Sequence, residues 1–413
     1  MGKRRKTVSA AVAIVLILSL TAALSGCGNS AVQNARNTEG TMPSSAEPAA
    51  SSETADSDAA VSAEASDGEN ERFTARDLSQ SADLSEAISV SVSDGGTITI
   101  NEAGVYVLSG DAENATVVVD AGDDDKVQLV LDGLTIVNAH QACIRIENAD
   151  KVFLTSAEGS ENSLAVTGAF TGDEDAVVFS RDDLVLNGLG TVAVSSTGDG
   201  IRTNDDLKLT GGTWAVTASD CAMKAHNGIY VCDGVYELTA GSDGLHAEDN
   251  DDDTIGIIVI DGGSFTVQAG DDGIHATTTM TVNEGTLAIR AAEGIEATQV
   301  TVNGGTVSIQ ATDDGINAGR KSDSLPVMIE INGGHLVIAM AAGDTDAVDS
   351  NGDLIITGGT LDITAQSAFD YDGSCRYTGG TIIVNGVETN SVSNQMMGGG
   401  MAGIAPGGFG GRR

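Results

Sequence analysis

Three pentapeptides decide the fold: Asp272-Gly273-Ile274-His275-Ala276, Glu293-Gly294-Ile295-Glu296-Ala297 and Asp314-Gly315-Ile316-Asn317-Ala318. Each reads acid, glycine, aliphatic, variable residue, alanine, and each lies 21 residues after the last. Working outward, the same box recurs upstream. It reads Asp199-Gly200-Ile201-Arg202-Thr203, Cys221-Ala222-Met223-Lys224-Ala225 and Asp243-Gly244-Leu245-His246-Ala247. Two degenerate copies follow downstream, Asp346-Ala347-Val348-Asp349 and Ser367-Ala368-Phe369-Asp370. Two intervals stretch to 29 and 32 residues, and these carry the polar inserts Glu248 to Thr254 and Gly319 to Pro326, which read as loops. Self-similarity at a fixed period is the signature of a repeat architecture.

A second signal keeps step with the first. The pairs Gly211-Gly212, Gly262-Gly263, Gly304-Gly305, Gly333-Gly334, Gly358-Gly359 and Gly379-Gly380 each open an alternating strand, such as Phe265/Val267 or Leu336/Ile338. A third short strand precedes the glycines, as in Leu207/Leu209, Met280/Val282 and Val300/Val302. No sustained helical period appears between residues 94 and 390. The reading is all-β: a parallel β-helix, or solenoid, with coils of about 21 residues and three strands each, stacked about 4.8 Å apart. Weaker coils begin upstream with Val118 to Asp120, Leu129 to Leu131, Val152 to Leu154 and Val177 to Phe179, so the solenoid is expected over 94–390. A propeller would need antiparallel blades of roughly 40 residues. A calcium-loaded nonapeptide roll would need Gly-Gly-x-Gly-x-Asp runs, which are absent.

Composition agrees. The 413 residues include 53 glycines, four prolines and one tryptophan, with 60 acids against 20 bases for a net charge of -40. A nucleic-acid partner needs a basic footprint and stacking aromatics, so that class is excluded, and docking on anionic lipid is disfavoured. Stacked aliphatics can supply a core where aromatics are few, and Trp214, aligned with Leu287, is expected to lie inside it.

The termini stand outside the fold. Lys3, Arg4, Arg5 and Lys6, the apolar run Ala10 to Leu20, and Leu24-Ser25-Gly26-Cys27 resemble a bacterial lipoprotein signal. Residues 1–26 would be removed and Cys27 lipidated, the only contact with a membrane. Residues 27–72 are a polar, acidic Ser/Ala-rich tether too poor in apolar side chains to fold. Residues 73–93 are expected to be a lead-in to the solenoid or a cap on its N-terminal end, whose open edge invites pairing. Residues 391–413 form a Gly/Met-rich tail expected to be disordered. The resulting picture is a secreted monomer, lipid-anchored and exposed at the cell surface.

In each box the aliphatic residue and the alanine should face in, and the variable residue and the glycine out. Stacking then aligns Arg202, Lys224, His246, His275, Glu296, Asn317, Asp349 and Asp370 in one outward row, the candidate carbohydrate-binding face. The opening acids align at a turn: Asp199, Asp243, Asp271/Asp272, Glu293, Asp313/Asp314 and Asp344/Asp346. Carboxylates about 5 Å apart repel by about 1 kcal/mol or more even at high effective dielectric. Any single Asp there is explained by turn geometry, but a column of them calls for a neutralising ion. Calcium, with its six to eight oxygen ligands, is the expected cofactor. Asp205 and Asp206, one coil beyond Asp182 and Asp183, are a further candidate metal cluster, and so is the insert at 248–253. Of the cysteines, Cys143, Cys221, Cys232 and Cys375 read as scattered thiols rather than a disulfide framework. Zinc is not expected, since no Cys-x-x-Cys occurs and His246 and His275 lack further nitrogen or sulfur ligands.

Taken together, three features resemble the carbohydrate-binding β-helix family found on surfaces of cellulose-degrading and gut bacteria. They are Ala103-Gly104-Val105-Tyr106-Val107-Leu108-Ser109-Gly110, then Val127-Gln128-Leu129-Val130-Leu131-Asp132-Gly133-Leu134-Thr135-Ile136, and the later boxes. The resemblance covers 94–390 and implies a right-handed parallel β-helix that binds calcium and plant polysaccharides such as cellulose and polygalacturonate, without catalysis. This chain departs from the pattern at Cys221, which stands in an acid position, and in its two degenerate C-terminal boxes. The expected function is therefore non-catalytic polysaccharide binding, with calcium joining the protein's carboxylates to those of a uronate polymer. The alternatives are a calcium-dependent pectate-type lyase, with Arg202 or Lys224 as base, and a structural adhesin.

Overall fold

The computed structural model describes residues 72–395, apart from 173, 250 and 344. The expectations for the signal peptide, Cys27, the tether, Asp344 and residues 396–413 lie outside the described residues. Within them the chain is all-β, without a helix, and its strands join in one continuous, overwhelmingly parallel sheet.

The boxes stack in register. Ile201 pairs with Met223, Met223 with Leu245, Leu245 with Ile274, Ile274 with Ile295, Ile295 with Ile316, and Ile316 with Val348. These side chains are fully buried, as is the parallel column of small residues from Thr203 through Ala276 to Ser350. A second wall begins after the glycine pairs: Trp214, Tyr236, Phe265, Leu287, Val307, Leu336, Leu361 and Ile382 pair in series. All lie inside, with the Tyr236 and Phe265 rings stacked at 4.7 Å. The third wall carries Leu207, Ile229, Ile258, Met280, Val300, Ile329 and Leu354. Burying three apolar faces against one another is what holds a solenoid together. At one corner a polar ladder reinforces it, each side chain bonded to the one before: Asp261, Asn283, Asn303, Asn332 and Thr357.

The glycine pairs are required by the stacking. A Cβ at Gly304 would sit 2.2 Å from the Asn283 carbonyl oxygen of the preceding coil, and Gly305 has φ 79°. The box glycine differs from expectation. It does not face out: a Cβ on Gly273 would meet Ile289 Cγ2 at 2.2 Å, inside the core. Strict alternation fails there because the chain turns a corner within the box, leaving the opening acid and the variable residue on the same outer surface.

Both ends differ from expectation too. Ile88–Ser91 is already a solenoid strand, paired with Tyr106 to Ser109. Of the two readings for the stretch before it, a lead-in or a cap, the contacts of residues 76–80 follow a lead-in that packs along the flank. Asp77 is wholly buried there, 3.5 Å from Lys151 Nζ and 3.7 Å from Lys208 Nζ, while Arg76 lies over the Phe153 ring. At the other end Thr381–Val384 folds back antiparallel onto Val387–Thr389 through Asn385 and Gly386, both at positive φ. Residues 391–395, expected to be disordered, rejoin the body: Gln395 bonds the Ala368 N–H and Asn394 bonds the Tyr371 carbonyl.

Candidate functional site

The outward row forms in register. Arg202 lies beside Lys224, Lys224 beside His246, His246 beside His275, His275 beside Glu296, Glu296 beside Asn317, Asn317 beside Asp349, and Asp349 beside Asp370. Because of the corner in each box, the acid three residues earlier reaches the same surface. The two columns therefore merge into one strip, whose members are half-buried or buried rather than projecting.

The strip changes character along its length. At the start Arg202 is held by Asp175 at 2.7 Å and approaches His226 at 3.4 Å, while Lys224 forms no ion pair among the described residues. Asp199 is buried beneath them, and burial, with Asp175 and Asp220 nearby, pushes its carboxyl up to about 6.

The middle is neutralised by imidazoles. Asp243 Oδ2 lies 2.6 Å from His246 Nδ1, and His246 Nε2 lies 3.1 Å from Glu248. One coil on, His275 Nδ1 lies 2.7 Å from Asp272 and 3.0 Å from Glu296, and Lys321 Nζ caps Glu296 at 2.7 Å. The two rings stack at 4.8 Å. Burial disfavours a charged His275, but its hydrogen bonds to Asp272 and Glu296 prevail and push it up to about 10. The unused oxygens of the acids accept backbone N–H groups from the next coil, Asp243 from Asp272 and Asp199 from Cys221. Much of the repulsion foreseen for the column is thus relieved by the protein itself.

The far end offers oxygen only. Burial first, then neighbouring carboxylates, push Glu293 and Asp349 up to about 7 and Asp314 up to about 6. Asn317 donates to Glu293 at 3.0 Å and to Glu296 at 3.3 Å, while its carbonyl Oδ1 is buried without a hydrogen-bond partner among the described residues. Carboxylates and an orphaned amide oxygen are donors of the kind calcium takes, although among the described residues no three acids at this end bring donor atoms within 4.8 Å of one another, so an ion here would have to draw them together.

Other expected ligands fall elsewhere. Asp271 and Asp313 stand exposed at the corner, one residue ahead of the acids that turn into the strip. Asp205 and Asp206 open the third wall instead, grouped with Asp183 near Lys151 and Lys208. The expectation that His246 lacks a further sulfur or nitrogen ligand is corrected by the register, which brings Cys221 to it: donor atoms of Cys221, Asp243 and His246 all lie within 4.8 Å of one another. The insert at 248–253 was a candidate cluster of its own, but the contact of Glu248 with His246 was not foreseen, and Lys321 was missed altogether. Both ride on inserts that leave the solenoid at the same corner, and the two inserts touch where Asp253 accepts the Asp323 N–H at 2.8 Å. The available signal was that both inserts begin five residues after a box acid, at Glu248 and Gly319.

A family model described as carbohydrate-binding domain-containing protein matches residues 94–347 and 294–403. A curated relative of the same description, from Acetivibrio thermocellus, is 34% identical over 144 residues, 33% of this chain and 49% of the relative. The chain thus spans about half the length of the curated relative it matches. A solved structure of a polysaccharide lyase-like protein from C. thermocellum, as a gadolinium derivative, is similar at 25% identity and a TM-score of 0.45, over 62% of this chain and 98% of that one.

Proposed function

The chain belongs to the carbohydrate-binding domain-containing proteins, and on that footing we propose that it binds polysaccharide without catalysis, along the strip of box side chains and with calcium at its oxygen-rich end. The observation that carries this is the run of oxygen donors Glu293, Asp314, Asn317 and Asp349 over three successive coils, with its orphaned amide oxygen. These residues would hold the ion, and the ion would supply positive charge for the carboxylates or hydroxyls of a plant cell-wall glycan such as polygalacturonate or cellulose. A polyanion meets a chain of net charge -40 unfavourably without such a bridge. The inward Trp214, Tyr236 and Phe265 leave stacking little part in recognition on this face.

The finer reading is of right-handed coils, the hand that parallel crossover connections almost always take. It places the protein at the bacterial surface, lipid-anchored through Cys27, which fatty-acid labelling checks. Arg202 is committed to Asp175, so a lyase base on this face would fall to Lys224.

The test is retention on polygalacturonate and cellulose, with and without calcium, while ultraviolet absorbance of unsaturated uronides is followed. Calcium-dependent retention, weakened about tenfold or more by Glu293→Gln/Asp349→Asn, with no product, is expected. Retention indifferent to both chelator and the double variant would remove calcium from the account. Product formation abolished by Lys224→Ala would make the protein a lyase.

A further inference from the structure

The column of box acids is broken once by a thiol, at Cys221, and the break falls beside the first imidazole of the row. We propose that Cys221, Asp243 and His246 form a binding site for zinc or a similar transition-metal ion, distinct in chemistry from the oxygen-rich end of the strip. The donor atoms are one sulfur, one carboxylate oxygen and one ring nitrogen, all within 4.8 Å of one another on buried side chains. Cys221 Sγ lies 3.8 Å from Asp243 Oδ2, and that oxygen lies 2.6 Å from His246 Nδ1.

Zinc sits about 2.3 Å from sulfur and about 2.0–2.2 Å from nitrogen or oxygen, so tetrahedral ligand atoms stand roughly 3.3–3.6 Å apart. The Cys–Asp separation is already close to that. The hydrogen-bonded His–Asp pair shares a proton where a metal would bind, and exchanging proton for metal parts the two atoms by well under an ångström.

The surroundings aim these donors. Asp243 turns its other oxygen to the Asp272 N–H at 2.9 Å, which leaves Oδ2 for the cluster. Glu248 holds His246 Nε2 at 3.1 Å, the carboxylate–imidazole arrangement that fixes a ligating tautomer and raises its basicity. The Cys221 N–H donates to Asp199 at 3.0 Å, which pins the thiol to its coil. Asp199 and Asp220 form a second group with Cys221 at the same spacing, so a fourth ligand can come from a carboxylate or from water. Calcium takes oxygen and shuns thiolate, so the cysteine selects a softer ion. The site stands whether or not the strip binds glycan.

The untagged full-length chain, reduced and stripped with chelator, should be titrated with cobalt(II) and then zinc. One cobalt per chain with thiolate-to-metal charge-transfer absorption, displaced by zinc, is expected. Cys221→Ser should abolish the absorption, and Cys221→Asp should lose it while restoring a box acid. Glu248→Gln should weaken binding about 10–100-fold. Absence of the thiolate band in the wild type, or its persistence in Cys221→Ser, would overturn the site. Should Cys221→Ser not fold, His246→Gln decides instead: at least tenfold weaker cobalt binding supports the proposal, and an unchanged titration in the folded variant overturns it.

Discussion

At His275 one imidazole stands between Asp272 and Glu296, with Lys321 on the far carboxylate. Removing it leaves two nearly buried carboxylates facing each other. Breaking a buried ion pair costs about 3 kcal/mol or more, so His275→Gln should lower the unfolding free energy from a urea titration by that order. The pH dependence has a defined sign. The folded value, about 10, lies above the ordinary 6.5. The stabilisation is therefore complete below about pH 6.5, declines from there, and is gone once the pH passes about 10. The gap between wild type and variant should narrow over that window, and a gap that widened with pH would refute the pairing. The row to which His275 belongs was legible from spacing alone, since a fixed repeat places equivalent positions side by side. Its partners were less so. Lys321 and Glu248 lie in inserts whose paths no period describes, and the Cys221 thiol reaches His246 only because the box turns a corner.

That corner is a property of the box as an element. Alternation placed the aliphatic residue and the alanine correctly inside, but carried one residue too far it put the glycine outside. Gly273 lies against Ile289 and the Gly294 carbonyl, with no room for a methyl group. Overpacking of this kind costs about 1–3 kcal/mol, and the backbone oxygen cannot retreat without breaking the ladder. Gly273→Ala should therefore destabilise the protein by at least that much in a denaturant titration, although the substitution is small and the sequence places it in an acidic turn. A neutral effect would mean that the coil relaxes freely there. The glycine pairs were legible because they repeat in phase with an alternating strand. The N-terminal stretch was not, because Asp77 finds Lys151 and Lys208 on the flank by long-range pairing that leaves no local pattern.

Across the whole molecule the strip passes from cations at Arg202 and Lys224, through imidazoles, to carboxylates at Asp349 and Asp370. The repeat made this gradient readable as a list of variable residues. What it could not show is which acids are already neutralised, because that depends on side chains from neighbouring coils meeting in three dimensions. The consequence is that calcium should matter mainly at the far end, and pH can reveal it. Glu293, Asp314 and Asp349 hold protons more tightly folded than unfolded, with values of about 6 to 7 against ordinary ones of 3.8 to 4.5. Without metal, stability must then fall as pH rises through that interval, since the native state binds the extra protons. Calcium held as proposed would bind the same groups once they are deprotonated and would stabilise only the folded form, so its effect should grow as the protons leave. Melting with and without calcium should thus coincide near pH 5 and diverge near pH 8, with the calcium-loaded protein higher. Taking the difference at each pH cancels the contribution of His275, which declines over the same range in both samples. A calcium increment that is equal at the two pH values, or absent from both, would show that these carboxylates do not hold the ion.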